Sequence, residues 1–237
     1  ELMIEILSGD CRETLAGLEG GRAQCCVTSP PYWGLRDYGT ATWEGGDPKC
    51  EHTTSHYNDS LKPEVERPFR GDRSKCLNCG AKRIDSQLGL EATPEEYVDA
   101  MVGVFRAVRR VLKDDGTLWL NLGDTYAGGA SAGNKTFGNP EFNENRPSRE
   151  ATKTPQKTKP SNLKAKDIVG IPWRVAFALQ ADGWYLRQDI IWSKPNPMPE
   201  SVTDRCTKAH EYLFLLAKQP KYYYDSEAIR EEAAYDG

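Results

Sequence analysis

Short apolar stretches alternate along this chain with segments of helical spacing. Residues 2–7 read as a strand ending in Ser8-Gly9-Asp10, residues 12–18 as a short helix, and Cys25-Cys26-Val27 as a second strand. Thr93-Pro94-Glu95-Glu96 marks a helix start, with Thr93 as N-cap, Pro94 at the first helical position and Glu96 closing a capping box. Tyr97, Met101, Val104, Phe105, Val108 and Leu112 follow at helical spacing, while Arg106, Arg109 and Arg110 read as a solvated face. Asp114-Asp115-Gly116 predicts a turn and residues 117–122 a strand. Residues 167–183 predict a helix carrying Val169, Trp173, Phe177 and Leu179, with Pro172 tolerated in its first turns. Residues 184–192 and 211–217 predict the last strands, and Lys218-Gln219-Pro220 turns the chain away. Strands alternating with helices predict an α/β sheet that takes ligands at its carboxyl ends. Asp10, Ser29, Asp124 and Lys194 each fall just past a predicted strand, which gathers them on one edge.

Two regions interrupt the pattern. Residues 34–89 are polar and rich in turns, and residues 127–166 read as a mobile loop. Between residues 135 and 166 that loop carries eight basic and three acidic residues, which suits a phosphate backbone about as well as plain solvation. Within an insertion over residues 40–90, Cys50-X-His52 and Cys76-X-X-Cys79 supply N/S ligands in two close pairs, as tetrahedral zinc requires. His56 is an alternative to His52, and Gly80 suits a tight metal knuckle. The stretch has almost no core-forming residues, so a structural metal could supply its order. An idle Cys-X-X-Cys loop is the plainer reading.

Bulk properties narrow the class. A chain of 237 residues, 38% hydrophobic, is enough for one domain and has no apolar run long enough to span a bilayer. With no signal peptide at Glu1, it is expected to be soluble and cytoplasmic. The net charge of −4 argues against nucleic-acid binding by the whole surface and leaves room for a local basic patch. Cys11, Cys25, Cys26 and Cys206 read as reduced core or near-core thiols of an intracellular chain.

The run Thr28-Ser29-Pro30-Pro31-Tyr32-Trp33 carries the chemistry. Consecutive prolines fix φ and remove two donors, so the nearby carbonyls are held rigidly as acceptors. A small hydroxyl precedes them and an aromatic ring follows. That combination suits a nucleobase taken out of its helix and gripped by its exocyclic amine. The run resembles the catalytic motif of the S-adenosylmethionine-dependent DNA amino-methyltransferases. Ile6-Leu7-Ser8-Gly9-Asp10, the segment 112–124, and the late segments 184–196 and 208–218 resemble further parts of that family, in the permuted order of its β group.

The resemblance implies a Rossmann-like sheet with helices on both faces, permuted and incomplete, with a zinc-knuckle insertion. It implies catalytic Ser29, Pro30, Pro31 and Tyr32, with Ser29 and the Pro30 carbonyl accepting from the target amine and Tyr32 stacking on the base. Asp10, Ser29 and Pro30 would contact the cofactor, Asp10 at its adenine. Trp33, Asp124 and Lys194 would contact the substrate, with alternatives: Trp33 as a pocket wall, Asp124 as a loop cap, Lys194 as the flank of a turn. His210 and Glu211 would support the site. The implied substrate is double-stranded DNA with a flipped base, within a restriction–modification pair. No membrane is implied, and a homodimer is compatible. Ser before Pro-Pro leans toward N4 of cytosine, with N6 of adenine as the alternative. A noncatalytic zinc-bearing DNA-binding fragment and an RNA methyltransferase are the rival readings. The family's glycine-rich cofactor loop is not found, so the chain is expected to be the catalytic and base-binding portion and to bind S-adenosylmethionine poorly by itself.

Overall fold

The computed structural model describes residues 4–34, 38–52, 74–127, 163–200 and 202–231. His56, the basic loop over 128–162 and the last residues, 232–237, lie outside them. The elements are α1 (Cys11–Gly17), β1 (Ala23–Thr28), β2 (Thr42–Glu44), β3 (Lys82–Ile84), α2 (Pro94–Val111), β4 (Leu112–Leu122), α3 (Ile171–Ala181), β5 (Tyr185–Ser193) and β6 (His210–Ala217). They divide between two compact units, one of Glu1–Ser29, Met101–Leu122 and Pro172–Gly237, the other of Pro30–Ala100 and Gly123–Ile171. No helix among the described residues is long and apolar enough to cross a membrane.

The first unit holds a four-stranded sheet in the order β1-β4-β6-β5. β1 and β4 are parallel, and β6 runs antiparallel to both β4 and β5. The α/β class is therefore realised as a mixed sheet. Side chains two apart on a strand share a face. Leu118, Leu120 and Leu122 thus lie beside Leu216, Phe214 and Tyr212 of β6. All but Tyr212 are fully buried. Trp173 of α3 meets Tyr212 and Phe214 edge-on at 5.5 and 5.1 Å between ring centroids, which sets α3 on this face.

The arginines of α2 are not simply solvated. Arg106 donates to Asp182, Arg109 to the Gly183 carbonyl, and Arg110 to the Leu15 and Ala16 carbonyls. These acceptors lie at or just beyond the last turns of α3 and α1, where helix carbonyls lack partners of their own.

Several expectations are corrected. The strand expected over 2–7 is not formed among its described residues, and Ile4 and Ile6 are 86% and 83% exposed. A strand persists only with a ladder partner, and β1 at the sheet edge is paired with β4 alone. The helix expected from residue 167 begins at Ile171, because Gly170 has φ of +77° and Ile168 bridges to Tyr126 instead. Asp114-Asp115-Gly116 belongs to β4 rather than a turn, with the irregularity absorbed in its register with β1. Cys11, Cys25 and Cys206 are exposed rather than in the core. Cys26 is half-buried, and burial pushes its thiol up to about 11.

In the second unit, the capping box forms as expected. The Glu96 amide donates to Thr93 Oγ1 at 3.2 Å, and Glu96 Oε2 accepts from the Thr93 amide at 3.3 Å. The antiparallel ribbon of β2 and β3 was not predicted, since three-residue strands leave no periodic signal.

Candidate functional site

In the first unit, β1 leads directly into Ser29. The Ser29 hydroxyl donates to Asn121 Oδ1 at 3.3 Å, and the Asn121 amide donates to the Tyr212 carbonyl at 3.0 Å. Asn121 is only 8% exposed. Sequence reasoning passed over it, although a lone Asn inside the apolar run of β4 was a readable signal, because buried polar groups need partners. Asp10 caps α1, accepting from the Arg12 amide at 2.8 Å and Arg12 Nε at 2.9 Å. Hydrogen bonds from Arg12 hold its carboxyl down to about 2. Both Asp10 oxygens therefore face a partner within its own turn. Lys194, expected at a phosphate, forms an ion pair with Glu211 that ties β5 to β6.

The second unit takes up the motif at Pro30. The Tyr97 hydroxyl donates to the Pro31 carbonyl at 2.9 Å. Burial raises the Tyr97 phenol above its usual range, helped by nearby Glu91 and Tyr32, so it stays a donor. Tyr97 read only as a core position in the sequence. The Tyr32 ring lies on Gly123, where an added Cβ would stand 2.5 Å from Cδ2 and Cε2. Gly89, with φ of +93°, closes on the Tyr32 backbone, and a Cβ there would be 2.8 Å from its carbonyl oxygen. Neither glycine stood out without the fold. Trp33 is 6% exposed, and its indole donates to the Glu91 carbonyl at 2.9 Å. It is packed as a wall of the loop.

Asp124 acts as a cap. Its Oδ1 accepts from the Thr125, Gly170 and Ile171 amides at 2.9, 3.0 and 3.1 Å. These include the first amide of α3, where a carboxylate satisfies orphan donors and favours the helix dipole. Asp124→Ala should cost about 1–2 kcal/mol in denaturant unfolding. Asp124→Asn, which keeps Oδ1, should cost less and leave methyl transfer near the wild-type rate. A large activity loss in the Asn variant at unchanged stability would contradict the capping role.

Cys50, His52, Cys76 and Cys79 converge in this unit, with their ligand atoms all within 4.8 Å of one another. Cys50 and Cys76 Sγ are 3.8 Å apart, and Cys79 Sγ is 3.3 Å from His52 Nδ1. Zinc–sulfur and zinc–nitrogen bonds of about 2.3 and 2.0 Å imply tetrahedral edges of about 3.5–3.8 Å, which these two distances approach within a set that spreads to 4.8 Å. Gly80, with φ of +75°, turns the knuckle as its amide donates to the Cys76 carbonyl at 2.9 Å. At Gly46 a Cβ would stand 2.8 Å from Cys79 Sγ. Desolvation and the Cys79 and Cys76 thiols push Cys50 up to about 12, a barrier to thiolate formation that a bound divalent cation would reverse.

An α/β sheet that delivers a Ser-Pro-Pro-Tyr run past a strand's carboxyl end defines a protein of the methyltransferase class. The chain belongs to the DNA methylase family of N6 and N4 methyltransferases, whose profile matches residues 23–236. It is 43% identical over 227 residues to the Type II methyltransferase M.Cfr9I of Citrobacter freundii, a match covering 96% of this chain and 58% of the relative. It is 44% identical over 230 residues to M.SmaI of Serratia marcescens, covering 97% of this chain and 61% of that one. The chain thus spans 58% to 61% of the length of these relatives. Among solved structures, the cytosine-N4-specific PvuII DNA methyltransferase aligns over 97% of this chain and 57% of its own, at 14% identity and a TM-score of 0.48.

Proposed function

We propose that the chain is the catalytic and base-binding portion of a DNA methyltransferase that methylates N4 of cytosine in a flipped-out base of double-stranded DNA. The observation that carries this reading is the tethered Ser29 hydroxyl, held through Asn121 to the Tyr212 carbonyl at the entrance to Pro30-Pro31-Tyr32. S-adenosylmethionine, when bound, supplies an electrophilic methyl group. Of the expected cofactor contacts, Ser29 and Pro30 directly follow β1, while the Asp10 carboxylate already accepts from Arg12.

The chain's own work is to hold the acceptor amine. Ser29 and the Pro30 carbonyl accept hydrogen bonds from the exocyclic NH2, which fixes the direction of the nitrogen lone pair. Tyr97 holds the Pro31 carbonyl, and with the proline rings this keeps the acceptor geometry from relaxing. Tyr32, seated on Gly123, offers a face to the flipped base. A hydroxyl before Pro-Pro is a weaker acceptor than a carboxylate, which favours cytosine N4 over adenine N6. Similarity to Type II methyltransferases supports a place in a restriction–modification pair. The reading includes a structural zinc on Cys50, His52, Cys76 and Cys79.

The test is transfer from labelled S-adenosylmethionine to unmethylated DNA, followed by mass identification of the nucleoside. N4-methylcytosine is expected. N6-methyladenine would reverse the base assignment. Cofactor-independent DNA binding without transfer, even from the full-length protein, would favour the noncatalytic reading.

A further inference from the structure

The Cys–His cluster and the Tyr32 loop are the two ends of one antiparallel arm. Beginning at the cluster, Glu44 pairs with Lys82, Trp43 with Arg83 and Thr42 with Ile84. Thr40 Oγ1 then donates to Asp85 Oδ1 at 3.3 Å, and the Tyr38 amide to Gln87 Oε1 at 2.7 Å. The Gly34 amide donates to the Gly89 carbonyl at 2.7 Å, and Trp33 Nε1 to the Glu91 carbonyl at 2.9 Å. Among the described residues, numbers fall on one side as they rise on the other, an antiparallel order in which 42–44 and 82–84 form the strand ladder. At its far end Gly89 closes on the Tyr32 and Pro31 carbonyls.

The ligands divide between the two sides of this arm. Cys50 and His52 continue the outgoing side beyond β2, and Cys76 and Cys79 precede β3 on the returning side. His52 is oriented by stacking on Trp43, with ring centroids 4.9 Å apart. A two-stranded ribbon is marginal by itself in water. β2 and β3 contribute no fully buried side chain. The Arg83–Asp85 pair is shielded, with side chains 9% and 10% exposed, but both its members lie on the returning side. Hydrogen bonds tie the two sides along the arm, and the cluster joins them at the end remote from Tyr32.

We propose that zinc held by Cys50, His52, Cys76 and Cys79 clamps this arm, and that the clamp sets Gly89 against the Tyr32 backbone. The metal is then a remote positioning device for the Tyr32 loop. Metal binding rests on the cluster geometry, while its consequence for catalysis rests on the role proposed above for Tyr32. The chemistry balances: one Zn2+ enters, three thiols each release a proton, and neutral His52 completes a site of net charge −1.

The experiment combines metal analysis with residue-level amide hydrogen exchange. It compares protein dialysed against zinc sulfate, the same protein after chelation, and a Cys76→Ser/Cys79→Ser variant. One zinc per chain is expected in the first sample only. Zinc loss should speed exchange at Gly34 and at residues 88–91 by at least about tenfold, with β4 and β6 unchanged. Substoichiometric zinc after dialysis would overturn the site. Bound zinc whose removal leaves Gly34 exchange unaltered, or loosens β4 and β6 equally, would overturn the clamp. A zinc-dependent arm in a full-length protein that transfers no methyl group would sink the methyltransferase reading and leave the clamp standing.

Discussion

Gly123→Ala should lower methyl transfer roughly 10- to 100-fold, as much as Tyr32→Ala, because base–aromatic stacking is worth about 1–3 kcal/mol. The new methyl would stand 2.5 Å from two atoms of the Tyr32 ring. No real Cβ contact is that short, so the ring must leave its seat. Gly123 carries no left-handed φ, so alanine adds no backbone strain and the effect is purely steric. The loss should therefore vanish in a Tyr32→Ala background, where the ring that would clash is gone. Steady-state kinetics on the two single variants and the double variant measure this coupling. Additive losses would show that Gly123 acts through something other than Tyr32.

Phe214→Ala should destabilise the protein by about 3–5 kcal/mol. Phe214 is fully buried on β6, between β4 and β5, and meets Trp173 and Tyr212 ring to ring. Truncation removes the apolar transfer term and leaves a cavity that a sheet interior cannot collapse into. At about 2–4 °C per kcal/mol for a domain of this size, the midpoint of thermal unfolding should fall by roughly 6–20 °C. Arg106→Ala is the contrast. Its side chain is 66% exposed, so solvent screens the pair with Asp182 and its loss should barely move the unfolding midpoint. A Phe214 variant no less stable than the Arg106 variant would show that the core does not rest on the β4–β6 face.

The local signals in the sequence survived best where one residue's chemistry suffices. Thr93, Pro94 and Glu96 announce the start of α2, and the capping box is there. The two close Cys and His pairs announce each other by spacing, and they converge. The signal failed where an element needs a partner. The alternating apolar residues at the N-terminus promise a strand, yet Ile4 and Ile6 stand in solvent. Asp124 and Lys194 share a strand-end position with Ser29, but one caps α3 and the other pairs with Glu211.

By itself the sequence determined the family and the α/β class, and it singled out the Ser29-to-Tyr32 run and the four Cys and His residues that converge. Each depends on residue type and short spacing, which the covalent chain already carries. Tertiary structure alone decided that Asn121 steadies Ser29, that Tyr97 holds the Pro31 carbonyl and that Gly123 and Gly89 make room for Tyr32. These are contacts between residues 57 to 92 positions apart. Hydrogen-bond direction and close approach are set by how the chain returns on itself, and no local pattern encodes that return.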